Sequence, residues 1–396
     1  MFLYQFTIRC FAEVILKKAA ELIYQYIRKL DKPLFAAVCI LGISGVAMLY
    51  SIVANGASTI EVSGRLYRMQ AAALCSGALL ALIISAVDYH KIVRLWFFYV
   101  PLSIGLVLMT FTEMGVTVES TGDRAWLDLG IATVQPSEFL KIAFICTFSM
   151  HLAKVGENIN KPLNVLLLIL HAAVPIGLIL VQGDDGTAFV FICLFLFMMF
   201  AAGISWKYIL PAVIVSPAAV YLLWTKFMKT HQKMRFMVLF DDELDPLGYG
   251  YQQHYGKIAL GSGQIFGKGF ISDDFISIPE AQNDFMFAYI GQAFGFIGCM
   301  AVMVLLVFVC LKIFADSRIA KDPLGKYICI GMFSLILVHS VLNIGMVLGV
   351  MPVIGVPLPF LSQGGSALLA LFAGIGLVMS AYSHSEKNYR VFYDAD

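Results

Sequence analysis

Apolar residues in this chain come in long runs rather than in alternation or on one face of a helix. Runs near 34–54, 70–87, 93–112, 137–152, 163–182, 187–203, 208–224, 285–311, 327–349 and 364–383 approach the ~20 residues a helix needs to cross a bilayer. Polar residues collect in the intervals. The pattern predicts an all-α, polytopic membrane protein with about ten transmembrane helices over 34–383. The longest interval, 225–283, is expected as a large loop on one side, and 384–396 as a short tail. Residues 1–33 read differently. At 100° per residue, Ile15, Ala19, Leu22, Ile23, Tyr26, Ile27 and Leu30 share one side of a helix, and Glu13, Lys17, Lys18, Glu21, Arg28 and Lys29 share the other. This fits an amphipathic extension on the membrane surface. No small-residue cleavage site follows a compact apolar core, so a cleaved signal peptide is not expected.

Composition sharpens the picture. Only 13% of the 396 residues are charged and 60% are hydrophobic, where a soluble domain carries about 25% charge. The formal net charge of +1 and the absence of a basic patch interleaved with aromatics argue against nucleic acid as a partner. Lys and Arg locate the sides. Arg9, Lys17, Lys18, Arg28, Lys29, Lys32, Lys91, Arg94, Lys154, Lys161, Lys207, Lys312, Arg318, Lys321, Lys326, Lys387 and Arg390 fall on one side, and Arg65, Arg68 and Arg124 in the short loops of the other. By the positive-inside rule both termini are expected in the cytoplasm and the 225–283 loop outside. Seven of the eight cysteines lie in apolar stretches and Cys10 in the N-terminal segment, with no CxxC spacing. They read as small apolar residues, which disfavours zinc and redox chemistry.

In such a chain the polar residues that burial would normally exclude carry the information. The loop after the third span reads Gly122-Asp123-Arg124-Ala125-Trp126-Leu127-Asp128 and leads into Gln135-Pro136-Ser137-Glu138-Phe139-Leu140-Lys141. Glu138 and Lys141, three apart on a helix, can pair. Arg124 beside Trp126 is either an interfacial anchor or a fork for a phosphate group. Gln182-Gly183-Asp184-Asp185-Gly186-Thr187 reads as a solvated turn capping the next helix, with a smaller role in divalent-cation binding left open. Gly261 to Gly269 is glycine-rich and contains Lys268, but matches no nucleotide-binding order. Lys268 could still serve a diphosphate. Asp284 follows Ile278-Pro279-Glu280-Ala281-Gln282-Asn283 and precedes Phe285-Met286-Phe287. A helix-start acid is the plain reading; apolar company could raise its pKa toward that of a general base. Residues 351–366 hold three prolines and two adjacent glycines, a non-helical stretch that must be buried in protein or line a cavity. His339 and Asn343 share a face of the preceding helix, with His339 expected to be hydrogen-bonded in packing.

Taken together, GDRAWLDLG with QPSEFLK, QGDDGTA, KIALGSGQIFGKG, IPEAQNDFMFAYIGQAFGFIG and NIGMVLGVMPVIGVPLPFLSQGGS resemble the SEDS family of RodA, FtsW and SpoVE. MRFMVLFDDELDPLGYGYQ and AWLDLG are more similar to its RodA, or elongation, branch. The resemblance implies a SEDS fold in the bacterial cytoplasmic membrane. It implies a peptidoglycan glycosyltransferase that polymerises lipid II into β-1,4 glycan strands on the outer face during cell-wall elongation. The implied partners are lipid II, the growing glycan strand, a class B penicillin-binding transpeptidase and elongation-complex membrane proteins. Asp284 occupies the position of the family's catalytic acid. Arg124, Trp126, Lys268 and Ser366 occupy motif positions expected to bind substrate, and Glu138, Lys141 and Pro359 positions expected to support the site. Gln282-Asn283 stand where the family usually has His-Thr. Gly291-Gln292-Ala293-Phe294-Gly295 stands in place of the common Glu-Glu-Leu-Gly, and Gln363 in place of Tyr. No nucleotide or flavin is implied, and a divalent cation is the one cofactor left open. A lipid II flippase and a non-enzymatic scaffold for a transpeptidase are the competing expectations.

Overall fold

The computed structural model of the protein describes residues 24–58, 63–117, 123–130, 132–241, 244–245 and 248–385. The amphipathic reading of the first 33 residues therefore lies outside the described residues up to residue 23, as does the tail from 386; residues 24–29 are helical. The helices are α1 (Lys32–Asn55), α2 (Arg65–Ala86), α3 (Tyr89–Arg94), α4 (Trp96–Met109), α5 (Pro136–Val155), α6 (Pro162–Gln182), α7 (Asp185–Ala201), α8 (Trp206–Leu222), α9 (Thr230–Phe240), α10 (Tyr251–Ser262), α11 (Met286–Ile319), α12 (Pro323–Val347) and α13 (Gly365–Ser383). Among the described residues, eight helical stretches are long and apolar enough to cross a membrane, and α4 and α7 are shorter apolar helices. Together they match the ten apolar runs.

Starts and stops are written in the caps. Asp31, Asp88, Asp184, Ser205 and Asp322 each accept a backbone N–H at a helix start, and Pro136, Pro162 and Pro323 open their helices, where a missing N–H is harmless. Gly56 and Gly183 close α1 and α6 in the left-handed conformation. The helices then alternate in direction. One end of the bundle collects the Lys312 ion pairs with Asp31 and Asp316 (2.6 and 2.5 Å) and the bond from Ser380 to the Val87 carbonyl (2.6 Å). The other end collects 351–364 and the described parts of 115–134 and 225–283. Most of α12 and α13 is buried, and α13 packs closely on α2, α12 on α11, α5 and α7. By contrast α8, with Pro211 and Pro217 inside it, buries none of its residues.

Three features depart from the sequence expectation. A three-stranded antiparallel sheet follows α4, made of β1 (Gly115–Val116), β2 (Trp126–Asp128) and β3 (Thr133–Val134), pairing Val116 with Trp126 and Leu127 with Val134. Strands of two or three residues are too short for alternation to show. The 225–283 loop contains α9 and α10. The eighth span runs from Met286 to Ile319 but breaks at Gly295, whose φ of 64° and ψ of −159° are not helical.

That break accounts for the glycine-rich loop. Phe296 and Ile297 donate their N–H groups to the Gln264 and Ile265 carbonyls (2.8 and 3.2 Å), while Lys268 and Gly269 donate to the Gln292 and Ala293 carbonyls (3.0 and 2.9 Å). Backbone groups freed by the break are thus satisfied inside the protein, as membrane depth demands. The fit is close: a Cβ at Gly263 would stand 1.9 Å from the Gly291 carbonyl oxygen. The loop's glycines serve backbone docking, which fits a sequence that matches no nucleotide-binding order. Gly263→Ala should therefore lower the thermal unfolding midpoint, at a cost of about 1–3 kcal/mol. Gly261→Ala, whose Cβ meets nothing within 4 Å, should leave it unchanged or raise it slightly in a parallel melt.

Candidate active site

The site forms where the 351–364 strap, the segment before α11 and the start of α7 meet. The strap reaches deep: a Cβ on Gly45 of α1 would lie 2.5 Å from the Leu361 carbonyl oxygen, ten residues or ~15 Å along the helix from its end. Side chains supply the hydrogen bonds its backbone lacks. Gln70 donates to the Ser362 carbonyl (3.1 Å) and accepts from Gly364 N–H (3.2 Å); Ser362 Oγ accepts from Leu358 N–H (2.9 Å); His339 Nδ1 lies 3.3 Å from the Pro357 carbonyl. Asn343 donates from one amide nitrogen to the carbonyls of Val356 and Asp284, both at 2.8 Å. It therefore fastens the strap and the candidate base to α12 at one point.

Asp284 is also held from its other neighbours. Ser362 Oγ donates to the Asn283 carbonyl (2.5 Å), and Gln363 N–H to the Gln282 carbonyl (2.8 Å). Glu280, with a positive φ of 51°, accepts from Asn283 Nδ2 (2.6 Å) and Gln282 Nε2 (3.3 Å). The two residues that depart from the family's His-Thr thus form an amide clamp on Glu280, and Ser58 ties Gln282 to the end of α1 (3.0 Å). None of these contacts uses the Asp284 side chain. Its carboxylate has no hydrogen-bond partner among the described residues.

The electrostatics of Asp284 follow. Burial pushes its pKa up to about 7, the Glu280 carboxylate adds to the rise, Arg235 on α9 opposes it and Asp184 adds a smaller rise. Desolvation wins because nothing hydrogen-bonds the charged form. Asp184 caps α7 through Thr187 N–H (2.9 Å), as the sequence suggests, and accepts from Gln135 Nε2 (2.9 Å). It is not a solvated turn acid: burial raises its pKa against those hydrogen bonds and the nearby charge of Lys141. Asp185 is exposed and accepts from Gln232 on α9.

Behind this mouth lies a buried polar cluster. Lys141 Nζ donates to Glu138 (2.8 Å) and approaches His339 Nε2 (3.1 Å). Because His339 Nδ1 faces a carbonyl, Nδ1 carries the proton and Nε2 accepts from the ammonium. Pro357, Pro359, Glu138 and His339 line one small pocket here. Ser366 is buried and accepts from Gln135 N–H (3.2 Å), joining the starts of α13 and α5.

The remaining candidates lie at the rim. Arg124 is exposed, its backbone tied to Gln182 (N–H to carbonyl, 3.0 Å), and Trp126 sits half-buried on β2. Lys268 Nζ donates to the Asp274 carbonyl (2.6 Å) beside the Gly295 break, so no hydrogen bond joins it to the Asp284 segment. Gln135 and Arg235 lie within the quoted stretches QPSEFLK and MRFMVLFDDELDPLGYGYQ without being singled out there, and Gln70 lies in none; only the fold brings the three to the site. Among the described residues, no three His, Cys, Asp or Glu side chains converge as a metal-holding group.

A half-buried carboxylate, Asp284, and a buried ion pair at one end of a bundle of apolar, span-length helices define a polytopic membrane protein with a titratable polar site. The family model described as "Cell cycle protein", covering FtsW, RodA and SpoVE, matches residues 31–387, and the chain belongs to this family. It is 36% identical to the peptidoglycan glycosyltransferase MrdB of Escherichia coli (strain K12), over 67% of this chain and 72% of that protein. It is 30% identical to the probable peptidoglycan glycosyltransferase FtsW of Trichlorobacter lovleyi, over 88% and 92%. Among solved structures it is similar to a chain from work on the coordination of polymerization and crosslinking by a peptidoglycan synthase complex, with a TM-score of 0.75, 25% identity and coverage of 89% and 97%. The fold also matches the rod shape determining protein RodA of Thermus thermophilus, with a TM-score of 0.67, 24% identity and coverage of 90% and 98%.

Removing one partner of the buried pair is the sharpest structural test. Lys141→Met should destabilise the protein by about 3–5 kcal/mol by stranding Glu138, and the double variant with Glu138→Gln should recover much of that loss. Unfolding in detergent would measure both.

Proposed function

We propose that this chain is a peptidoglycan glycosyltransferase of the RodA type, that it polymerises lipid II on the outer face of the cytoplasmic membrane, and that Asp284 is its general base. The observation that carries the mechanism is the environment of Asp284: a carboxylate free of hydrogen bonds, raised to about 7 by burial, on a segment fixed by Asn343, Ser362 and Gln363. A base with a pKa near the working pH is a good acceptor for a sugar hydroxyl proton. That hydroxyl attacks the anomeric carbon of the donor, the bond to the lipid diphosphate breaks, and single displacement converts an α-linked donor into a β-1,4 link. Cations must meet the departing diphosphate. Arg235 is already within electrostatic reach of Asp284, and Arg124 and Lys268 supply charge from the rim. Trp126 is placed to stack on a sugar. Ser366 acts indirectly, holding Gln135, whose amide holds Asp184.

The apolar groove of about 380 Å³ lined by Tyr99, Leu102, Phe139, Ile142, Ala370 and Leu377, among others, suits a polyprenyl tail. A class B penicillin-binding transpeptidase is the proposed partner, and cytoplasmic termini the proposed orientation.

The deciding experiment reconstitutes wild type and Asp284→Asn with the transpeptidase partner, adds labelled lipid II and reads polymer on a gel. Polymer from wild type and none from a folded Asn variant is expected; equal polymer from both sinks the role of Asp284. A pH series separates the two consequences of the raised pKa. Polymerisation should climb with pH through about 7 as the carboxylate ionises. Stability should move the other way. The folded state binds the proton more tightly than the unfolded chain, so the contribution of Asp284 is complete below pH ~3.9 and is lost as pH rises through about 7. Melting midpoints of Asp284→Asn should lack that decline.

A further inference from the structure

At the end of the bundle remote from Asp284, a second polar constellation takes no part in the chemistry above. Leu140, Ala143, Phe144, Thr147, Met150, His151 and Lys154 form one continuous stripe along α5, at the i, i+3, i+4, i+7 spacing of a single helical face. The stripe floors a trough between α4 and α6. Near the helix end the trough encloses about 510 Å³ against Trp96, Val100 and His171. It continues as an apolar section of about 170 Å³ against Ile104, Val174, Pro175 and Leu178. Val100, Thr147 and His171 line both sections, so the two are one groove. From Lys154 to Leu140 it runs ~21 Å along the helix.

Two imidazoles inside a lipid-facing groove need a reason. Thr147 Oγ1 has two carbonyl neighbours, those of Ala143 (2.9 Å) and Phe144 (3.3 Å), so its proton points at them and its oxygen accepts. His171 Nε2, 3.2 Å away, must then be the donor, which leaves His171 Nδ1 an acceptor. His151 Nδ1 lies 3.1 Å from it and carries the shared proton. The chain of bonds therefore ends at His151 Nε2, which holds a lone pair and has no partner among the described residues. It is the one nitrogen of the pair left open to accept a hydrogen bond from a bound molecule. Lys154, one turn from it, is exposed, as is Trp96 at the start of α4; Lys91, Arg94 and Lys161 are exposed at the same end, with Glu157 the single acid of the 156–161 turn.

We propose that this trough binds an acidic phospholipid of the leaflet remote from Asp284. Its phosphate lies at Lys154, a headgroup hydroxyl donates to His151 Nε2, its glycerol region lies against Trp96, and one chain extends along α5 toward Leu140. The charge of the rim selects the headgroup, and the groove's apolar section takes the chain. Occupancy would brace α4 against α6 from the side opposite the catalytic mouth.

The test is native mass spectrometry of the full-length protein in detergent with phosphatidylglycerol or phosphatidylcholine of the same chain length. Wild type should retain phosphatidylglycerol preferentially, by about fivefold for the Lys154 cation engaged. Lys154→Gln with His151→Gln should reduce that preference to the phosphatidylcholine level. Val174→Trp, at a position exposed in the groove, should reduce retention of both lipids by filling the apolar section. Lys207→Gln, at the same end but outside the groove, should change nothing. Equal retention of the two lipids by wild type overturns the proposal, as does wild-type preference in the double variant. Unchanged melting of each variant in lipid-free detergent establishes that lost retention reports the site.

Discussion

Between α12 and α13 the chain lies at membrane depth without a helix to satisfy its own backbone, and this constraint organises the catalytic end of the molecule. Lipid offers no hydrogen bonds, so every N–H and C=O of residues 351–364 must find a partner in protein. Gln70 from α2, His339 and Asn343 from α12, and Ser362 from within the strap are those partners. Each polar side chain placed there for the strap also positions something else. His339 turns its second nitrogen to Lys141, Ser362 reaches the Asn283 carbonyl, and Asn343 reaches that of Asp284. Solving the strap's hydrogen bonds and building the site are one construction.

The same economy explains how a carboxylate can be both buried and fixed. Hydrogen bonds to the carboxylate would favour its charged form and lower its basicity. The structure instead grips the carbonyls on either side and leaves the side chain bare. Glu280, four residues earlier, is treated in the opposite manner, clamped by Gln282 and Asn283. Two acids on one short segment are thereby given different work: one is a structural acceptor, the other is free to titrate.

Much of this was legible in the sequence, and what was not has physical reasons. Transmembrane helices announce themselves because twenty apolar residues in a row have few other fates. Glu138 and Lys141 announce their pairing through helical spacing, and Asp284 through its apolar neighbours and its motif. The break at Gly295 was hidden inside an uninterrupted apolar run, because one glycine does not reveal whether a distant loop will supply the missing hydrogen bonds. The loop that does so, 263–269, is glycine-rich, and its composition did not say what it serves, since close backbone approach demands glycine whether the visitor is a ligand or another strand of the same chain. Arg235 and Gln70 act at the site across large sequence separations, and no local pattern encodes that. The shielding of Asp184 is equally non-local: its capping role is written in the turn, its burial only in the packed bundle.

The grip on the main chain of residues 282–284 has one more consequence. Since none of the bonds that place this segment passes through the Asp284 carboxylate, the geometry of the mouth is indifferent to what side chain of similar size stands there. A molecule silenced at this position would keep its surface, its grooves and its docking faces intact. On the role proposed for Asp284, silent copies in a cell holding both forms would occupy the same assemblies as active ones, so loss of that one carboxylate would propagate as interference rather than as simple absence.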